Sequence, residues 1–85
     1  MNNDKEILHK KLLYRSQNRG CKETDILLGK YALSEIEKFD DNNLAIYENL
    51  LQEDDVKIYD WLLGKSAVPH HYKNLISHIR QFHKI

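Results

Sequence analysis

Residues that interrupt helices are rare in this 85-residue chain, which contains only three glycines and one proline. No stretch of four to eight residues shows the alternation, rich in Val, Ile and Thr, that is typical of strands. No Asn-Gly or Asp-Gly pair marks a tight hairpin turn. We therefore predict an all-α fold, a single compact five-helix bundle in which residues 1–85 form one domain.

Capping residues and the helical spacing of apolar residues predict where the five helices begin and end. Gly20 suits the left-handed position that ends a first helix, and Gly64 ends the fourth. Pro69 suits the first position of the fifth helix, where its missing N–H is not needed. Aspartates precede the third and fourth helices as caps. The predicted helices cover about 3–18 (capped by Asn3 or Asp4), 22–38, 42–52 (Asp40 or Asp41), 56–63 (Asp54 or Asp55) and the segment from 69 onward.

The apolar residues also predict which side of each helix is buried. On the first helix we expect Ile7, Leu8, Leu12 and Tyr14 to share one face, with Leu13 outside it. The second helix is apolar around more than half of its circumference, which predicts either a central helix or one that offers a face to a partner. The inward residues expected elsewhere are Leu44, Tyr47, Leu50, Leu51, Ile58, Tyr59, Leu62, Tyr72, Leu75, Ile76, Ile79 and Phe82.

Charge and composition exclude several classes of protein. Thirteen basic residues balance thirteen acidic ones, which argues against binding to nucleic acid or to an acidic membrane. No apolar run approaches the roughly 20 residues that span a bilayer, so we expect no membrane insertion. The first residues lack the apolar core of a secretory signal and the arginines of a transit peptide, which favours a bacterial cytoplasmic protein over a processed matrix protein.

Few residues are arranged for catalysis or metal binding. His71 and His78 are seven residues apart, about 10.5 Å along a helix, which is too far for the usual pair of ligands to one metal ion. Cys21 is the sole cysteine, and no histidine adjoins it. Its position before a helix would lower a thiol pKa, but a small semi-buried side chain is the simpler interpretation. We therefore predict no metal, no catalytic residue and no cofactor of its own.

The turn Arg19-Gly20-Cys21-Lys22-Glu23 admits two interpretations. In the structural one, Gly20 ends a helix and Glu23 complements the dipole of the next. In the functional one, Gly20 lets a partner's backbone approach between charges of both signs, and Arg19 grips a carboxylate with two parallel bonds.

Two blocks resemble the succinate dehydrogenase assembly factors, also called flavinators, and the similarity covers about residues 8 to 82. The first contains R-G-x-x-E at 19–23, followed by a Leu-rich helix, and the second is the acidic turn and Tyr-x-Trp helix at 47–62. The chain departs from the family pattern at Cys21, at Thr24, where an apolar residue is common, and at Asp55-Val56, which replaces Asp-Pro.

The resemblance implies an assembly chaperone rather than an enzyme. Such a protein binds the flavoprotein subunit of succinate dehydrogenase, and in some bacteria that of fumarate reductase, and promotes covalent attachment of FAD bound to that subunit. The flavoprotein makes the bond itself. The partner-binding residues carried over from the motif are Arg19, Gly20 and Glu23, with Arg15, Tyr31 and Trp61 as weaker candidates.

Two alternatives stay open on the sequence alone. One is a small helical nucleic-acid-binding or regulatory domain, which the zero net charge disfavours. The other is a cysteine-dependent enzyme that uses Cys21.

Overall fold

The computed structural model describes residues 3–85, and all of its regular structure is helical. The five α-helices are α1 (Asn3–Gln17), α2 (Lys22–Glu35), α3 (Asp41–Leu50), α4 (Asp55–Leu63) and α5 (Lys73–His83). Single 3-10 turns follow α2 (Ile36–Lys38) and precede α5 (His70–Tyr72). The radius of gyration is 12.2 Å, close to the roughly 12 Å expected of a compact domain of this length. The all-α, five-helix prediction is confirmed.

Predicted caps account for three of the helix ends. The Asp40 carboxylate accepts a hydrogen bond from the Asn43 N–H at the start of α3, and the Asp54 carboxylate accepts from the Val56 and Lys57 N–H groups at the start of α4. Gly64 ends α4 in the left-handed conformation, with φ of 75°. Each cap satisfies helix-end groups that would otherwise lack a partner. These caps agree with the sequence prediction.

Three predicted helix ends are corrected. Asn3 and Asp4 both lie inside α1, so neither is its N-cap, and residues 1 and 2 lie outside the described residues. Gly20 does not end α1 with a left-handed residue, because Gly64 is the glycine with positive φ in residues 3–85. α2 stops at Glu35 and tightens into a 3-10 turn that carries Ile36 and Phe39 into the core. Pro69 precedes the 3-10 turn at 70–72 instead of starting α5.

α2 is the central helix, as predicted, because it contacts α1, α4 and α5. Its Leu28, Tyr31 and Ala32 side chains are fully buried. Tyr31 packs edge-on against Phe82, and its ring lies 6.1 Å from that of Tyr47. Two other residues of this helix, Ile26 and Leu33, are exposed, so the apolar surface is only partly used within the chain.

The predicted inner face of α1 is partly wrong. Ile7 and Tyr14 are exposed, whereas Leu13 packs against the core beside Leu8 and Leu12. The centre of the buried face holds a polar residue, Ser16, whose hydroxyl donates to the Leu12 carbonyl and lies 2.6 Å from the Tyr47 hydroxyl. A hydrogen-bonded serine can be buried without penalty, but it leaves no apolar signal in the sequence.

The remaining predicted inward residues are largely confirmed. Phe82 is 38% exposed, and Tyr59 and Leu75 are half-buried, while the others lie in the core. None of the helices described, from residue 3 to 85, is long and apolar enough to cross a membrane.

Candidate functional site

The turn between α1 and α2 is attached to the start of α4 by one carboxylate. Asp55 Oδ1 accepts a hydrogen bond of 2.6 Å from Nε of Arg19. Its Oδ2 accepts from the backbone N–H groups of Gly20 and Cys21, at 3.0 and 3.2 Å. Thr24 is buried, and its hydroxyl donates to the Asp55 carbonyl at 3.2 Å. Asp54 caps the helix, so the carboxylate of Asp55 is free for these contacts.

The guanidinium of Arg19 also binds the turn between α3 and α4. Nη1 donates to the Leu51 carbonyl at 2.5 Å and Nη2 to the Glu53 carbonyl at 2.9 Å. The backbone N–H of Arg19 donates to the Asp25 carboxylate. The Arg19 side chain is only 10% exposed and that of Asp55 20%. Arg19 therefore works within the molecule, where its planar fork joins two turns that are more than thirty residues apart.

The two turns form the floor of a shallow depression, which we call the turn cleft. Tyr14, Arg15, Asn18 and Gly20 are exposed on one side of it. The segment 51–55 forms the other side. The cleft is shallow and combines the exposed ring of Tyr14 with the exposed cation of Arg15 beside two hydrogen-bonded turns, which suits it to contact another protein rather than to enclose a small molecule.

Glu23 stands beside the turn cleft and does not line it. Its carboxylate is exposed and accepts a weak hydrogen bond from the Cys21 thiol at 3.2 Å. The N–H of its own backbone and then the Cys21 thiol lower the pKa of Glu23 below its usual value. Glu23 is therefore charged at neutral pH and open to a partner. Cys21 itself is a free thiol at the N-cap of α2.

Gly20 is exposed and close to Asp55. A Cβ atom at Gly20 would lie 3.4 Å from Asp55 Oδ2, an ordinary contact. Alanine therefore fits at this position. A long side chain would have to project over the turn cleft, because the inner side is occupied by the Asp55 carboxylate.

Two of the weaker predicted site residues belong to the core instead. Tyr31 is fully buried, with its hydroxyl 2.6 Å from Nδ1 of His78, and burial raises its pKa well above the usual range. Trp61 is 6% exposed and packs on Tyr72, with ring centroids 5.7 Å apart. Their burial does not fit a partner-binding role on the surface, where such a residue must be exposed. Arg15 is exposed at the turn cleft, as a binding residue must be.

Sequence reasoning missed Asp55 and Tyr14. The sequence indicates a possible cap at Asp55 and places this residue in the acidic turn of the second block, but it does not identify Asp55 as the partner of Arg19, although two adjacent aspartates before one helix leave one of them available. Tyr14 was assigned to the inner face of α1, but it is 67% exposed at the turn cleft. Among the side chains of residues 3–85, no group of three from His, Cys, Asp and Glu is placed to hold a metal ion.

Comparison with known proteins identifies the chain's relatives. The family model described as "Flavinator of succinate dehydrogenase" matches residues 10–83. The chain is 41% identical over 78 residues to "Succinate dehydrogenase assembly factor 2, mitochondrial" of Dictyostelium discoideum, covering 92% of this chain and 55% of that protein. It is 34% identical over 70 residues to "FAD assembly factor SdhE" of Legionella pneumophila (strain Paris), covering 82% of this chain and 87% of that protein.

A third relative is "Succinate dehydrogenase assembly factor 2, mitochondrial" of Schizosaccharomyces japonicus, 36% identical over 69 residues. Those residues cover 81% of this chain and 48% of that protein. The chain thus spans about half the length of the eukaryotic relatives that it matches, and most of the bacterial one.

Proposed function

The chain belongs to the family of flavinators of succinate dehydrogenase, and from that membership we propose that it is an assembly factor for succinate dehydrogenase. Its role is to bind the flavoprotein subunit and promote covalent attachment of the FAD that this subunit holds. The observation that carries the proposal is the family match over residues 10–83, supported by a bacterial relative named for FAD assembly.

In this proposal the chain contributes no catalytic group, and the flavoprotein makes the bond to FAD itself. The assembly factor acts by binding one arrangement of its partner. Fixing reacting atoms in a near-attack geometry lowers a barrier by several kcal/mol without a new reacting group. A small rigid bundle suits this task, because little conformational freedom is lost on its side when the complex forms.

We assign docking to the turn cleft and to Glu23 beside it. Gly20 supplies a surface that another backbone can approach, while Glu23 and Arg15 supply exposed charges of opposite sign. Arg19 has a different role from the one expected of it, because its guanidinium already binds Asp55, Leu51 and Glu53. We propose that Arg19 positions Gly20 for docking and does not itself grip the partner.

The experiment follows covalent flavin on the flavoprotein. The flavoprotein subunit is produced with and without this chain, and flavin fluorescence of its band is measured on a denaturing gel. We expect a bright band only when the chain is present. Equal fluorescence without the chain would refute the assembly role.

Variants at Gly20 separate docking from folding. Gly20→Arg places a long side chain over the turn cleft, and we expect loss of covalent flavin while circular dichroism stays helical. Gly20→Ala is the matched control, because its Cβ fits beside Asp55; it should support flavin attachment. If Gly20→Arg were as active as Gly20→Ala, the partner would not bind the turn cleft.

Glu23→Ala removes an exposed charge and leaves the clamp between Arg19 and Asp55 intact. We expect weaker binding to the flavoprotein with an unchanged melting temperature. Glu37→Ala, an exposed acid on the 3-10 turn after α2, is the control for loss of one negative charge. A normal flavin signal with Glu23→Ala at limiting concentration would remove Glu23 from the interface.

The further assignments of client and location belong to the same proposal. Fumarate reductase is a second candidate client, and the cytoplasm of a bacterium is the expected location. The comparisons give no support to a nucleic-acid-binding or regulatory domain. A gel shift that weakens with salt would be the result that favours that alternative.

A further inference from the structure

The zero net charge of the chain conceals two segments of opposite sign. Residues 1–60 carry nine Lys and Arg against thirteen Asp and Glu, a net charge of −4. Residues 61–85 carry four Lys and Arg and no acidic residue, a net charge of +4. The C-terminal segment, which contains the end of α4, the loop after it and α5, is therefore a local region of positive charge.

One cation in this segment is half-buried without a counter-ion. Arg80 lies on α5, and its guanidinium packs beside Gly64 at the end of α4. Its Nε atom is buried and has no hydrogen-bond acceptor, and none of the ion pairs formed within residues 3–85 includes it. Arg19, by comparison, has an acceptor for Nε, Nη1 and Nη2. Desolvating an unpaired charge is unfavourable, so Arg80 is a group for which a bound anion would compensate.

The surroundings of Arg80 form a cleft of about 590 Å³, which we call the Arg80 cleft. Lys73, Ser77 and Gln81 lie with Arg80 on the same flank of α5 and supply a second charge and two neutral hydrogen-bonding groups. Val68, Ile76 and Ile85 provide an apolar wall. No acidic side chain is among the described residues that line the cleft. Its chemistry thus combines a planar cationic fork with an adjacent apolar surface.

We propose that the Arg80 cleft is a docking site for an acidic segment of a protein partner, with an Asp or Glu carboxylate on Arg80 and a neighbouring apolar side chain against Val68 and Ile76. A guanidinium binds a carboxylate through two parallel hydrogen bonds, and Nη1 and Nη2 of Arg80, which are not buried as Nε is, are the atoms that can donate them. A nucleic acid fits less well, because its affinity comes from many phosphate contacts and the cleft offers two cations beside an apolar wall.

The Arg80 cleft is separate from the turn cleft. The first adjoins Gly64, at the end of α4, and the second adjoins Asp55, at its start. The nine residues of α4 separate the two clefts by about 13 Å along the helix. A partner side chain bound in the turn cleft therefore does not also reach the Arg80 cleft. The inference does not depend on the proposed function, because it follows from the charge and burial around Arg80 alone.

The test is a titration of the ¹⁵N-labelled full chain followed by NMR. The probe is N-acetyl-Leu-Glu-Leu-amide, and the matched probe is N-acetyl-Leu-Gln-Leu-amide, which has the same shape without the charge. We expect saturable shifts of the Arg80 Nε–H signal and of the Ser77 and Gln81 amides with the Glu peptide only. Arg80→Gln should raise Kd about tenfold or more, as expected for loss of a charged hydrogen-bonding partner.

Two further variants keep the test decisive. Lys73→Gln removes the exposed second cation and should weaken binding even if Arg80→Gln unfolds the chain. Lys11→Gln removes an exposed lysine of α1 that lines neither cleft and should leave Kd unchanged. Three results would overturn the proposal: no saturation at peptide concentrations of about 10 mM, equal shifts with the Gln peptide, or tighter binding of inorganic phosphate or of a 12-mer oligonucleotide than of the Glu peptide.

Discussion

Replacing Arg19 by alanine tests whether this residue is an internal clamp. The substitution removes an ion pair with Asp55 and hydrogen bonds to the Leu51 and Glu53 carbonyls. Hydrogen bonds to a charged group are worth about 1.5–3 kcal/mol each, and breaking a buried ion pair costs about 3–5 kcal/mol.

The full sum does not apply, because water can reach parts of the site. The Asp55 side chain is 20% exposed and keeps its bonds from the Gly20 and Cys21 N–H groups. We therefore expect Arg19→Ala to lower the free energy of unfolding by about 2–3 kcal/mol. For a domain of this size, 1 kcal/mol corresponds to about 4–8 °C in Tm, so the expected fall is roughly 8–24 °C.

The assay is thermal unfolding followed by circular dichroism at one protein concentration, with Arg15→Ala as the matched control. Arg15 is an exposed arginine on the same helix, and its loss should change stability by less than about 0.5 kcal/mol. Arg19→Lys keeps the charge and loses the fork, so its Tm should lie between those of the wild type and Arg19→Ala. Equal Tm values for Arg19→Ala and Arg15→Ala would refute the clamp.

Three other predictions concern stability. Gly64→Ala should lower the free energy of unfolding by about 1 kcal/mol, because φ of 75° is unfavourable for a residue with a Cβ. Gly20→Ala, the control, should change this free energy little. Urea unfolding measures both variants, and equal losses would contradict the assignment of Gly64 as a left-handed cap. Ser16→Ala should cost about 1–3 kcal/mol, because it leaves the buried Tyr47 hydroxyl without a partner, whereas Tyr47→Phe should cost about 1 kcal/mol, because the Ser16 hydroxyl still donates to the Leu12 carbonyl. The double variant should cost less than the sum, and additivity in the cycle would show that the two hydroxyls do not interact. Burial raises the pKa of Tyr47 and Tyr72 to about 12, so the stability that their neutral forms provide is complete below about pH 10 and is lost as pH rises through the folded-state values. Phenolate absorbance and circular dichroism should therefore change together at alkaline pH, and ionisation of all five tyrosines in the folded chain would contradict the burial.

The parts of the fold that depend on neighbours in sequence could be predicted. Asp40, Asp54 and Gly64 end or begin helices through groups two to five residues away, so short-range patterns suffice. The apolar spacing of α3 and α4 identified Tyr47 and Ile58 as core residues for the same reason. The inner face of α1 was harder to predict because its central residue, Ser16, is polar and is satisfied by a hydroxyl 31 residues away.

The candidate site was only half predictable. The motif singled out Arg19, Gly20 and Glu23, but the partners of Arg19 lie 32 to 36 residues further along the chain. No local sequence pattern predicts whether Arg19 binds a carboxylate of a partner protein or the carboxylate of Asp55. Tyr31 and Trp61 are weaker partner-binding candidates on the sequence, yet a chain this small uses these large rings to fill its core.

The clamp also makes the turn cleft a product of complete folding. Arg19 lies between α1 and α2, and every one of its side-chain acceptors lies in the turn between α3 and α4 or at the start of α4. α1 and α2 pack directly on each other through contacts that are local in sequence and form quickly, whereas the clamp closes a loop of more than thirty residues. A nascent chain that has not yet emerged as far as Asp55 therefore contains the whole R-G-x-x-E sequence without the full set of acceptors that holds Arg19 in place in the folded protein.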